Sequence, residues 1–89
     1  MELINIENVY PSPSSDFVNI IYTVSEPSVV SLKIYDIVGK EVLKIVDDEF
    51  QKDGRYKAII DLNELSSGMY FYELSSTGGK RIMKKFMKK

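Results

Sequence analysis

The 89 residues suffice for one domain, but a chain of this size buries only about two-thirds of the surface its unfolded form exposes, so its stability rests on close packing. Cysteine and histidine are both absent, which excludes disulfides, thiolate metal sites, thiol nucleophiles and the usual base for a serine nucleophile; neither an enzyme nor a bound cofactor is expected. The net charge of −1 conceals an acidic body with a basic ending: six of the twelve basic residues and none of the thirteen acids fall in 80–89, so those ten residues carry +6 and the rest −7.

No apolar run approaches the roughly 18 residues of a membrane-spanning helix, and Met1 to Tyr10 lacks the charged start and apolar centre of a signal peptide. Ile4 and Ile6 alternate with Asn5 and Glu7, predicting a first strand to about Val9. Tyr10, Pro11, Ser12 and Pro13 end it. Each proline fixes its own φ, removes a ladder donor and pushes the preceding residue toward extended backbone, so a stiff non-helical crossing is expected here, with a Pro-rich recognition motif as the alternative. Phe17 to Val24 is the second predicted strand, with Ile20, Tyr22 and Val24 on one face and Asn19, Ile21 and Thr23 on the other.

After a turn at Ser25 to Ser28, Val30, Leu32 and Ile34 alternate with Ser31, Lys33 and Tyr35, which predicts a third strand with its apolar residues inward. Asp36 to Gly39 reads as a hairpin loop in which Asp36 bonds forward to backbone and Gly39 takes a left-handed conformation. The fourth strand, Glu41 to Val46, is apolar on both faces, a pattern that fits a bulge or an edge position. Asp47, Asp48, Glu49 and Asp53 are expected in the following loop as solvated acids; calcium is the alternative, although the spacing is not that of an EF-hand. Asp53 and Gly54 close the turn. Tyr56, Ala58, Ile60 and Leu62 give a fifth strand.

Leu65 to Leu74 forms a corner feeding a buried strand. Tyr70, Tyr72 and Leu74 share one face; Met69, Phe71 and Glu73 take the other. Gly68 stands where positive φ is needed, Leu65 is expected to plug the core, and Tyr70 suits a tyrosine corner, in which the ring is buried and the hydroxyl bonds to nearby backbone. Gly78 and Gly79 suit a hairpin returning the chain as Lys80 to Lys89. A strand is expected there; Ile82, Met83, Phe86 and Met87 also repeat at helical spacing, so a cationic amphipathic helix is the alternative. Seven short strands separated by turn chemistry predict an all-β fold, an antiparallel β-sandwich.

Four segments together resemble a known family. Tyr10, Pro11, Ser12, Pro13, Ser15 and Asp16 resemble the Tyr-Pro-Asn-Pro opening of the C-terminal sorting domains of the type IX (Por) secretion system, type A, with Ser12 where asparagine is usual. Val30 to Asp36 with Gly39 to Val42 resembles that family's central hairpin, Leu65 to Tyr72 its third block, and Lys84, Lys85 and Phe86 its basic ending. The likeness runs over nearly the whole chain from Tyr10. A related sandwich in the flagellar hook-capping protein shares the hairpin.

The resemblance implies an immunoglobulin-like sandwich at the end of a larger secreted protein. It is expected to direct that cargo through the periplasm and across the outer membrane, to be recognised by an outer-membrane translocon, and to be removed by a sortase-like cysteine protease. Neither a nucleic-acid partner nor stable membrane insertion is expected. Lys84, Lys85, Phe86, Lys88 and Lys89 are the candidate recognition residues; Tyr10, Pro11, Pro13, Asp36, Gly39, Leu65, Gly68 and Tyr70 are assigned structural roles. Two other readings stand beside this one. The first is a structural or adhesive immunoglobulin-like domain; the second is a carbohydrate-binding module using Phe17, Tyr35 and Phe71 as outward aromatics, which cross-strand packing explains as well.

Overall fold

In a computed structural model that describes residues 4–11 and 13–89, the regular elements are all strands. They are β1 (Ile4–Tyr10), β2 (Phe17–Val24), β3 (Ser28–Tyr35), β4 (Glu41–Gln51), β5 (Gly54–Asp61), β6 (Gly68–Ser76) and β7 (Arg81–Lys88). Met1, and Ser12 of the Tyr-Pro-Ser-Pro opening, lie outside the described residues.

Two antiparallel sheets face each other, one in the order β1-β2-β5 and the other β4-β3-β6-β7. This is an immunoglobulin-like arrangement in which β3, β6 and β7 form the C, F and G sheet and β4 lies beside β3, while β1, β2 and β5 take the A, B and E places. Inward residues of both sheets meet in one core: Ile4, Ile20, Tyr22 and Ile60 from the first, Leu32, Ile34, Tyr72 and Leu74 from the second. The Tyr22 ring stacks on Tyr56 at 5.4 Å, and its hydroxyl donates to Gln51 Oε1 at 2.9 Å, so even the polar end of this buried ring is satisfied.

The ending is a strand. From Gly68↔Lys88 to Ser75↔Arg81, β7 pairs with β6 over eight consecutive residues without a shift of register. Gly79, at φ +90°, makes the turn into it, and a lone ten-residue helix would have had no such partner.

Of the four acids after Val46, only Asp53 is in the loop. β4 runs on through Asp47, Asp48 and Glu49 to Gln51, because register irregularities against β3 let an edge strand bend rather than stop. At one of them Asp48 sits at φ +46°, its N–H donating to Ser31 Oγ at 3.0 Å while that hydroxyl donates back to Asp48 Oδ1 at 2.7 Å. Ser31, expected to face solvent, is thereby buried. The fourth strand is thus both bulged and at an edge, the two features its sequence pattern suggested.

Leu65 is not the core plug. Leu62 is, being fully buried as the last inward residue in the β5 alternation; the chain turns immediately after it, with Leu65 N–H donating to the Leu62 carbonyl at 3.0 Å, and so Leu65 only packs on the rim.

Candidate functional site

The basic ending divides by strand parity. On β7 the even positions face the other sheet, and among them Phe86 is buried, stacked on Tyr70 at 5.9 Å and beside Tyr72 at 6.0 Å, with Ile82 half-buried. Phe86 was grouped with the recognition lysines. Its ring belongs to the core, because register sets it opposite Tyr70. Lys84 lies between Ile82 and Phe86 yet is exposed, since an edge strand leaves a long side chain room to reach solvent around the rim. Lys85 and Lys89 are exposed and Lys88 half-buried, its ammonium donating to the Lys89 carbonyl at 3.3 Å. The structure therefore gathers Lys84 and Lys85 on one open edge and holds that edge in place through Phe86.

The corner that supports it combines one distant backbone bond with one local side-chain bond. Leu62 N–H donates to the Asp16 carbonyl at 2.9 Å, and Tyr70, buried, donates its hydroxyl to the Ser66 carbonyl at 2.7 Å. That is a tyrosine corner at the start of β6. Gly68 has φ +148°; nothing lies within 4 Å of where a Cβ would stand, so the demand for glycine comes from its own backbone conformation and not from a crowded neighbour. In the β3–β4 hairpin, Asp36 Oδ1 accepts from the N–H groups of Val38 (3.0 Å) and Lys40 (2.9 Å), while Gly39 at φ +88° completes the turn.

The proline crossing joins this region. Tyr10, Pro11 and Pro13 are exposed, with the Tyr10–Pro11 bond cis, but Ser14 after them is buried. Its N–H donates to the Met87 carbonyl (2.9 Å), its carbonyl accepts from Lys89 N–H (2.7 Å), and its hydroxyl donates to the Pro11 carbonyl (2.6 Å). The opening and the ending of the family-like sequence thus close on one another. Ser14 had no place in the sequence reading; a lone serine following Pro-Ser-Pro carries no periodic signal, and only the tertiary pairing marks it.

Outside the core, the β4-β3-β6-β7 sheet carries Tyr35 and Phe71 in register with one another, next to Glu73, which accepts from the Tyr35 hydroxyl at 3.2 Å and pairs with Arg81 at 3.5 Å. Partial burial first, then the Glu73 charge, holds the Tyr35 phenol above its usual range. Phe17 lies in the other sheet, so the three outward aromatics do not form one platform. Among the described residues no group of carboxylates comes together as a metal site, and Asp47, Asp48 and Glu49 are strung along the β4 edge.

A family model described as a secretion system C-terminal sorting domain matches residues 8–89. Among curated proteins no match is found.

Proposed function

Because the chain belongs to the family of type IX secretion system C-terminal sorting domains, a signal for export to the cell surface or medium by that machinery, we propose that it is the folded address label of a larger polypeptide, with no chemistry of its own. In this reading the label passes through the periplasm to an outer-membrane translocon, and a sortase-like protease separates it from its cargo. Lys84, Lys85, Lys88 and Lys89 are the contacts offered to an acidic surface of that machinery. The observation that supports them is the division of β7, whose apolar Ile82 and Phe86 pack inward while Lys84 and Lys85 remain in solvent.

The test fuses the domain to a reporter in a host with type IX secretion and replaces the four lysines with glutamine. Export is expected to fall while the melting temperature stays put, since exposed charges away from buried features change stability by less than about 0.5 kcal/mol. A folded glutamine variant exported like the parent would move recognition elsewhere on the domain. Truncation after Gly79 is a poorer test, because it also deletes Phe86 and with it part of the core.

A further inference from the structure

We infer that the outer edge of β7, over Arg81, Met83 and Lys85, receives an extended acidic segment of the secretion machinery as an added strand. This rests on the sorting reading and names the surface and the mode of contact. Backbone parity supplies the first argument. Met87 C=O and Lys89 N–H point away from β6, since both are bonded to Ser14, and alternation turns the N–H and C=O groups of Arg81, Met83 and Lys85 the same way. Among the described residues Ser14 pairs with this edge in parallel at Lys88 and no strand flanks it from Arg81 to Lys85, so the edge already accepts a chain at one end and is open along the rest.

The four sheet edges differ in how far they discourage pairing. β4 is bent by register shifts along β3, and β1 shifts register between Ile6 and Asn8. β5 is regular, but Arg55 on it is tied to Glu7 at 3.1 Å and Asp61 lies at its end, so its charge is mixed. β7 alone of the four combines an unshifted ladder with charge of one sign. Lysines on an edge ordinarily prevent sheets from joining, and against a second copy of this chain Lys84 and Lys85 would do that by repulsion, Arg81 being already paired with Glu73. Toward an acidic strand the same cations are attractive, which makes the edge selective rather than closed.

Side-chain placement supports that occupant. On the outer face the edge borders a groove of about 390 Å³ whose apolar lining is Tyr35, Ile37, Phe71 and Met83, with Met83 half-exposed and Ile37 more so; the groove also holds Asp36 and Glu73, the latter paired with Arg81 at 3.5 Å, so it suits the apolar rather than the acidic residues of an incoming strand. An arriving strand that alternates apolar and acidic residues would cover Met83 on one face and meet Lys84 on the other, with backbone pairing supplying the affinity.

The test titrates the isotopically labelled 89-residue domain with short synthetic peptides alternating valine with aspartate, or valine with lysine, reading amide shifts and exchange protection. The aspartate peptide is expected to protect the amides of Met83 and Lys85, and the lysine peptide to leave them unchanged. Protection on β5 or β4, an equal response to both peptides, no response, or self-association through β7 overturns the inference. Met83→Pro removes an outward N–H that β6 does not use and should abolish both the peptide response and export, whereas Met83→Ala keeps the backbone and should retain them. A parent domain that fails to direct export defeats the sorting reading alone, because the titration judges the edge independently.

Discussion

β6 and β7 form one hairpin and face one core, yet they are built on different terms. The inward positions of β6, Tyr70, Tyr72 and Leu74, are all buried; those of β7 alternate Ile82 and Phe86 with Lys84 and Lys88. A strand flanked on both sides, as β6 is, has nowhere to send a charge, while an edge strand has an open rim. The difference teaches that one hairpin can hold fold and recognition apart residue by residue. Stability resides in the aromatic cluster of Tyr70, Tyr72 and Phe86, and the charge available to a partner stands in the positions between.

That contrast can be broken most forcefully at its aromatic centre. Tyr70→Ala and Phe86→Ala should each destabilise the domain by about 3 kcal/mol or more, as large aromatic truncations in cores do; denaturant unfolding checks this, and a small effect at Phe86 would show that β7 is less firmly anchored than β6. Gly68→Ala comes next, at about 1–3 kcal/mol, the cost of forcing a Cβ into a backbone region that only glycine occupies freely. Tyr70→Phe keeps the ring and loses only the bond to the Ser66 carbonyl, so about 1 kcal/mol is expected, and comparing it with Tyr70→Ala apportions the corner between packing and hydrogen bonding.

Alkali should loosen the core. Burial holds the Tyr22 and Tyr72 phenols above their ordinary range, partly offset at Tyr22 by its bond to Gln51. A raised folded-state value means that their contribution is complete below the unfolded tyrosine pKa of about 10 and is lost as pH rises through the folded values. Melting temperatures should therefore fall above about pH 10, and Tyr72→Phe should blunt the fall. The smallest effect is expected at the other pole: glutamine at Lys84, Lys85, Lys88 and Lys89 should change unfolding free energy by less than about 0.5 kcal/mol, so a larger loss would mean that the cations also hold the edge together.

Much of this is legible in the sequence. Period-two alternation located most of the seven strands, because a half-buried strand must alternate, and the bounds of the second strand, Phe17–Val24, agree with the structure residue for residue; the fourth, apolar on both faces, and the seventh, also spaced like a helix, were placed by the turns beside them. Local turn chemistry was equally readable at Asp36, Gly39, Gly68 and Tyr70, where each bond or conformation involves residues within four of one another. Three matters were decided only by tertiary structure. β4 continues through its acids since Ser31, seventeen residues earlier, reaches Asp48; Phe86 is core and not contact, as pairing with β6 sets it opposite Tyr70; and Ser14 clasps Met87 and Lys89 from the far end of the chain. Sequence periodicity reports which face of an element is apolar, a property of neighbours along the chain. It carries no information on which distant backbone will lie alongside, and that is what determines whether a bulge is supported, a ring is covered or an edge is left open.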